Sequence, residues 1–322
     1  MNENKRYYVG IDLGGTFIKG GICTRCGELL ISDKVPTEGR LGGERVAENV
    51  ASLTRGLISR LGISPEDVVG VGMGVPGLID STSGTVVFWG KMRWENLPIG
   101  DMVSRLTGYP TRVINDANAA ALGETLFGSG KKYKNTVLLT LGTGVGGGVV
   151  IDGKLFEGNR SAGAELGHIC VVKDGERCNC GRRGCLEAYA SATALIRETT
   201  RAMQEDKTSK MWEIGSLDAV TGQTAFDYAA TDASAKRVVD NYVEMLGTGI
   251  VNYANVFRPE AIIIGGGVSA QGDALLLPLR AMLERDIYAG ERGPSVELMI
   301  ATLGNTAGTL GAAASVAEAT QL

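Results

Sequence analysis

Val9-Gly10-Ile11-Asp12-Leu13-Gly14-Gly15-Thr16 is echoed over 137–144 by Val137-Leu138-Leu139-Thr140-Leu141-Gly142-Thr143-Gly144. In each stretch a short apolar, β-rich run ends in a glycine turn, and a second strand-like run follows at once. The first copy continues through Ile18 to Cys23, Gly27 and Leu29-Leu30, and the second through Gly147 to Ile151, Gly153 and Leu155. A repeat of so long a period argues for two similar α/β lobes rather than a solenoid of short units. Two such lobes make a cleft.

Around the first copy, Tyr7 to Leu13, Ile18 to Cys23 and Glu28 to Val35 read as strands. Val46, Val50, Leu53, Leu57 and Leu61 recur at helical spacing, and Gly62 stops that helix. Val68 to Val75 is a further strand, ending at Pro76-Gly77, so the order is β-β-β-α-β. Downstream, Ala119 to Phe127, Ala188 to Gln204 and Ser234 to Ala254 read as helices. Ala261 to Ile264 is a buried strand running into Gly265-Gly266-Gly267. Asn305 to Ala319 is small, Ala-rich and helical, and is expected to pack back across the lobes. Cys23-x-x-Cys26 falls in a predicted hairpin with no helix after it, which reads as a plain turn rather than a thioredoxin-like pair.

Composition narrows the function classes. Glycine supplies 47 of 322 residues, about 15% against a usual share of roughly 7%, without a collagen period. Those glycines serve turns or close backbone approach. A net charge of −4 provides no basic field for a nucleic-acid backbone, so no nucleic-acid partner is expected. The N-terminus lacks a secretory signal pattern, and no run of about 18 apolar residues exists, which predicts a cytoplasmic protein with no membrane partner. In a reducing compartment the six cysteines point to metal or redox chemistry rather than disulfides.

Three constellations carry chemistry. Asp12-Leu13-Gly14-Gly15-Thr16-x-x-Lys19 and its echo at Thr143-Gly144 are turns whose N–H groups can cradle phosphate, with an acidic residue at a strand end suited to Mg2+. Neither a P-loop nor a Rossmann fingerprint is present. Asn115-Asp116-Ala117-Asn118 follows a strand and opens a helix, which leaves two readings: a helix cap, or Asp116 as a general base. Glu165-Leu166-Gly167-His168, with Cys178-x-Cys180-Gly181-x-x-Gly184-Cys185-x-Glu187, sets one imidazole and three thiolates at the spacing of a closed tetrahedral Zn2+ site. Because that set leaves no open position, the metal is structural. Glu165 and Glu187 flank its ligands.

Together with Gly74-Val75-Pro76-Gly77 and Gly265-Gly266-Gly267, these motifs resemble, over nearly the whole chain, the ROK family of bacterial sugar kinases and related repressors within the actin-like ATPase superfamily. The sequence is most similar to the family's bacterial glucokinases. The resemblance implies an α/β, two-lobed actin-like ATPase (ribonuclease H-like) fold with duplicated βββαβα-type lobes around a cleft. It puts residues 1–114 in a small lobe, joined by a C-terminal helix at 305–322, and residues 115–304 in a larger lobe carrying the zinc loop. It further implies ATP-dependent phosphorylation of a hexose at the 6-hydroxyl, with glucose as the leading substrate and N-acetylmannosamine or fructose as alternatives.

By resemblance, Asp116 is the catalytic base, and Gly77, Asn115, Glu165, His168 and Glu187 surround the sugar. Asp12, Gly14, Gly15, Thr16, Lys19, Thr143, Gly144, Gly266 and Gly267 attend to ATP and Mg2+. His168, Cys178, Cys180 and Cys185 hold zinc, and the assembly is a homodimer. A non-catalytic sugar-sensing regulator is the distant alternative; repressors of the family carry an extra helix-turn-helix region before the core, whereas here the Asp12 motif falls within the first dozen residues. One departure stands out. Where these glucokinases carry Asn-Leu-x-Trp, with the Asn touching the sugar, the chain reads Lys91-Met92-Arg93-Trp94. Either a long cation replaces a short amide there, or an insertion shifts the loop and leaves Lys91 in solvent.

Overall fold

The computed structural model describes residues 6–319. Its strands and helices, in chain order, begin β1 (Tyr7–Leu13), β2 (Phe17–Thr24), β3 (Leu29–Pro36), α1 (Gly43–Leu61), β4 (Val68–Val75), β5 (Leu78–Asp80), β6 (Thr85–Trp89), β7 (Trp94–Leu97), α2 (Ile99–Thr107), β8 (Thr111–Asn115) and α3 (Asp116–Phe127). They continue β9 (Thr136–Leu141), β10 (Val145–Ile151), β11 (Lys154–Phe156), α4 (Glu187–Ala190), α5 (Ala192–Glu205), α6 (Thr224–Tyr228), α7 (Ala233–Phe257), β12 (Ala261–Gly265), α8 (Asp273–Asp286), β13 (Glu297–Ile300) and α9 (Ala307–Ala319).

The repeat seen in sequence is a repeat of topology. One five-stranded sheet has the order β3-β2-β1-β4-β8 and another the order β11-β10-β9-β12-β13, position for position the same. In the first, β1 pairs antiparallel with β2 and parallel with β4, which in turn pairs parallel with β8. In the second, β12 lies parallel between β9 and β13. The mixed α/β architecture expected from the resemblance is therefore present. A small antiparallel sheet, β5-β6-β7, is added after β4.

The chain divides into two compact units. One takes residues up to Asn135, then Gly148–Ala164, and residues from Thr302 on; the other takes Thr136–Gly147 and Glu165–Ala301. In the first unit, Val46, Ala47, Val50, Leu53 and Leu57 of α1 bury one helix face against Val9, Ile11 and Leu13 of β1 and Val71 and Met73 of β4. Full burial of each large aliphatic side chain here is worth about 1.5–3 kcal/mol. Gly62 ends α1 in the left-handed conformation, φ 71°, as its position just past the last apolar residue predicts.

Helix α9 covers the other side of β1 and β4. A Cβ on Gly10 or Gly72 would fall on the carbonyls of Thr309 or Ala312, so these glycines let the helix lie directly on the strands. The principal neighbours of α9 are β1, β4, β8 and α3, all in its own unit. It packs onto that unit's sheet. Helix α3 is the largest of those neighbours, which is why it joins the first unit although it follows residue 114.

In the second unit, Ala261, Ile262, Ile263 and Ile264 are fully buried, the near-continuous apolar run of a strand covered on both faces. The span 188–204, which reads as one helix, is two. Ser191 takes an extended conformation, ψ 159°, and its hydroxyl accepts from the Ala194 N–H at 3.1 Å, ending α4 and capping α5.

Candidate active site

The register of the first sheet brings Asp12, Gly74 and Ile114 level with one another at the carboxyl ends of β1, β4 and β8. In parallel α/β sheets, ligands bind beyond this edge. Asp12 faces Lys19 across the β1–β2 ladder, with Oδ2 and Nζ 3.3 Å apart. The turn between them closes through the Gly14 N–H donating to the Phe17 carbonyl at 3.0 Å. Among the described residues the N–H groups of Gly15 and Thr16 donate to no protein acceptor, so the turn offers two consecutive donors.

At the end of β8, Asn115 is the N-cap of α3. Its Oδ1 accepts from Ala117 N–H at 2.9 Å and Asn118 N–H at 3.2 Å, and its Nδ2 donates to the Gly77 carbonyl at 3.2 Å. Gly77 has φ 103°, and a Cβ there would strike the Phe88 carbonyl. One amide thus starts the helix and holds the Gly77 turn. Asp116 is the first residue of α3 and half-buried; its Oδ1 accepts from the Ala117 N–H at 2.9 Å. Because Asn115 already satisfies the first turn, the helix does not depend on Asp116 for its cap.

The second unit has the corresponding edge. Gly142 N–H donates to the Gly144 carbonyl at 3.0 Å, and here too no protein acceptor takes the Thr143 or Gly144 N–H among the described residues. The start of α5 holds the turn: Ala192 N–H donates to the Gly142 carbonyl and the Thr193 hydroxyl to the Thr143 carbonyl, both at 2.8 Å. Glu187 Oε2 accepts from Val145 N–H at 3.1 Å and lies where a Cβ on Gly144 would go. The register pairs Gly265 of β12 with Thr140 of β9. That sets Gly266, with φ 84°, against the backbone of Leu141, and starts a short 3-10 turn at Gly267.

In the same unit, His168, Cys178, Cys180 and Cys185 bring one ligand atom each to within 4.8 Å of one another. Cys178 Sγ is 3.6 Å from His168 Nδ1, and Cys180 Sγ is 3.6 Å from Cys185 Sγ. A tetrahedral ion at metal–sulfur distances of about 2.3 Å and metal–nitrogen distances of about 2.0–2.1 Å puts its donors roughly 3.5–3.8 Å apart, so the set fits zinc in its chemistry and these two pairs match the spacing. Burial pushes the Cys178 thiol up to about 12 and raises that of Cys185, whereas the Arg182 N–H lowers that of Cys180. The loop owes its shape to Gly181 and Gly184, φ 89° and 77°, with the Gly181 N–H on the Cys178 carbonyl and the Cys178 N–H on the Arg182 carbonyl. Cys178 Sγ also lies 3.6 Å from Glu187 Oε1, so Glu187 joins the cysteine loop to the Gly142–Gly144 turn.

Within each unit the residues singled out in sequence come together. Asp12, Gly14, Gly15, Thr16, Lys19, Gly77, Asn115 and Asp116 lie along the edge of the first sheet. Thr143, Gly144, Gly266 and Gly267 lie along the edge of the second, where Glu187 ties them to His168 and the cysteines. Glu165 is exposed, and its carbonyl closes the short turn carrying His168 by accepting from the His168 N–H at 3.0 Å. Cys23 is buried, Cys26 exposed, and neither is in a disulfide. No helix among the described residues is long and apolar enough to cross a membrane.

Two residues escape sequence reasoning. Thr37 is fully buried, donates its hydroxyl to the Gly14 carbonyl at 2.7 Å and its N–H to the Thr16 carbonyl at 2.9 Å, and so fixes the first turn. Nothing in its sequence neighbourhood signals this, because the partner lies 23 residues away. Thr193 does the equivalent for the second turn from 50 residues away.

Comparison with known proteins agrees with the architecture. Residues 8–319 match the ROK family. A glucokinase of Halalkalibacterium halodurans is 41% identical over 310 residues, covering 95% of this chain and 93% of that protein. A glucokinase of Streptomyces coelicolor is 37% identical over 314 residues, 95% and 96% of the two chains. The crystal structure of a ROK family glucokinase from Streptomyces griseus in complex with glucose and AMPPNP superimposes with a TM-score of 0.80 at 35% identity, covering 97% of this chain and 99% of the other.

Proposed function

The chain belongs to the ROK family, and from that premise we propose that it is an ATP-dependent hexose kinase that converts glucose to glucose 6-phosphate. The observation that carries the reading beyond the relatives is the division of labour at the start of α3. Asn115 caps the helix, so the Asp116 carboxylate at the sheet edge is not needed to start it. In this reading Asp116 takes the proton of the sugar 6-hydroxyl as that oxygen attacks the terminal phosphoryl group of ATP.

Catalysis is positioning and charge neutralisation. The free N–H groups of Gly15, Thr16, Thr143 and Gly144 receive phosphate oxygens, with Gly14, Gly266 and Gly267 shaping the backbone around them. Asp12, paired with Lys19, is the residue that would hold Mg2+; when bound, that ion neutralises charge on the donor phosphates. Asn115, with one Nδ2 hydrogen beyond its bond to Gly77, orients the sugar hydroxyls together with Glu165, His168 and Glu187. His168, Cys178, Cys180 and Cys185 would hold a structural zinc, which braces the loop and the turn behind it. Ligation through His168 Nδ1 leaves Nε2 as an N–H donor for the sugar. The same reading carries a cytoplasmic homodimer.

Metal-replete protein incubated with MgATP and a panel of hexoses and N-acetylhexosamines tests the proposal. Glucose 6-phosphate is the expected product. A preference for N-acetylmannosamine or fructose would move the chain to another branch of the family, and no phosphorylated sugar at all would overturn the reading.

A further inference from the structure

Lys91 is where the sequence departs from the Asn-Leu-x-Trp pattern of the glucokinases it resembles, and the fold places it beside Gly15. It sits in the turn between β6 and β7, a hairpin whose base is closed by Trp89 and Trp94, both buried and packed edge to face with ring centroids 5.2 Å apart. Two backbone bonds shape the turn: Met92 N–H to the Trp89 carbonyl and Arg93 N–H to the Gly90 carbonyl, both 3.2 Å. Met92 packs against Gly39 and fixes one side. On the other side Lys91 lies along Gly15. A Cβ built on Gly15 would stand 2.8 Å from the Lys91 Nζ and 3.1 Å from its Cε.

The ammonium therefore stands beside a turn whose Gly15 and Thr16 N–H groups have no protein acceptor. Among the described residues Lys91 itself has no hydrogen-bond or ion-pair partner. Asp12, the acid at the foot of the turn, is already paired with Lys19. The added positive charge is thus uncompensated, and it adjoins N–H donors suited to an anion. A lysine ammonium has three donors and no acceptor, and a neutral sugar offers it no opposite charge, whereas a phosphoryl oxygen does.

We infer that Lys91 contacts the terminal phosphate of the nucleotide donor on the Gly14–Thr16 turn, rather than the sugar. The inference rests on the reading of that turn as a phosphate site.

Its test is steady-state kinetics with each substrate varied in turn, on wild type, K91M, K91N and K91R, together with calorimetric binding of MgAMPPNP. In K91M and K91N, kcat/KM for ATP falls about tenfold to hundredfold, the range expected for one charge-assisted contact, and MgAMPPNP binds more weakly. The KM for glucose stays within about twofold and K91R recovers part of the loss, as a retained charge on a different stem would. A raised KM for glucose with unchanged ATP parameters would make Lys91 a sugar contact and overturn the inference. No change in either would place it in solvent and overturn it equally. Should the wild type lack kinase activity, the proposed function fails on its own account. Lys91 is then judged by binding alone, and equal MgAMPPNP affinity in wild type and K91M overturns the inference.

Discussion

The turn after β1 and the turn after β9 occupy the same position in two sheets of the same order, and each leaves two consecutive N–H groups without a protein acceptor. What holds them differs. The first is pinned from within by the buried hydroxyl and N–H of Thr37. The second is held by the start of α5 and by Glu187, whose other oxygen reaches Cys178 in the cysteine loop. A duplicated fold has kept the donor geometry and changed the brace. One turn depends on hydrogen bonds from a buried threonine, the other on a loop whose donors suit a metal ion, so the two should fail under different conditions.

The largest expected effect separates chemistry from scaffold. Asp116→Asn should lower kcat by about 10²–10⁴, the usual contribution of a general base, while the melting temperature stays close to wild type because Asn115 carries the cap. Asn115→Ala should do the reverse in stability, costing about 1 kcal/mol by denaturant unfolding. Equal destabilisation by both variants would return Asp116 to the role of a cap.

Metal removal comes next and bears directly on the two braces. Chelation should strip about one zinc per chain and expose residues 165–190 and the Gly142–Gly144 turn to hydrogen exchange, while the Gly14–Thr16 turn keeps its protection. Both turns responding alike would break the comparison. Because the raised thiols of Cys178 and Cys185 must give up protons to the ion, zinc affinity should fall as the pH is lowered, which a competition titration with a chromophoric chelator can follow.

A smaller effect tests the other brace. Thr37→Val preserves shape and the backbone bond to Thr16 but leaves the Gly14 carbonyl without its hydroxyl partner, an expected loss of about 1–3 kcal/mol. A KM for ATP raised several-fold with zinc content unchanged would confirm that the first turn stands on its own, and Thr37→Ser should restore it.

The last effect is confined to alkaline pH. Burial lifts the Cys23 thiol from 9.0 to about 12 in the folded chain, so its stabilising contribution is complete below pH 9 and is lost as the pH rises toward 12. Over that window the wild type should lose up to about 1.4 kcal/mol per pH unit relative to Cys23→Ala, measured by unfolding at a series of pH values. Parallel pH profiles would mean that the thiol is not buried as described.

Much of this was legible along the chain because it is local. Apolar runs of β1, β4 and β12, the spacing in α1 with its stop at Gly62, and the glycine turns depend on neighbours a few residues away. The Cys178–Cys185 spacing with His168 is nearly as local, and the four ligand atoms do converge. Ser191 was misread because a serine within a helical pattern is neutral until its own cap geometry ends the helix.

Residue types and their periods therefore settled many of the elements, that the strand-turn-strand opening is repeated, and where phosphate- and metal-binding chemistry is concentrated. Tertiary structure alone decided the connections. Thr37 meets Gly14, Glu187 meets Val145 and Lys91 meets Gly15 across long stretches of sequence, and only the packed sheets bring them together. Such pairings are set by strand register and close helix packing, which distribute their information over the whole fold, and no single stretch of residues contains it.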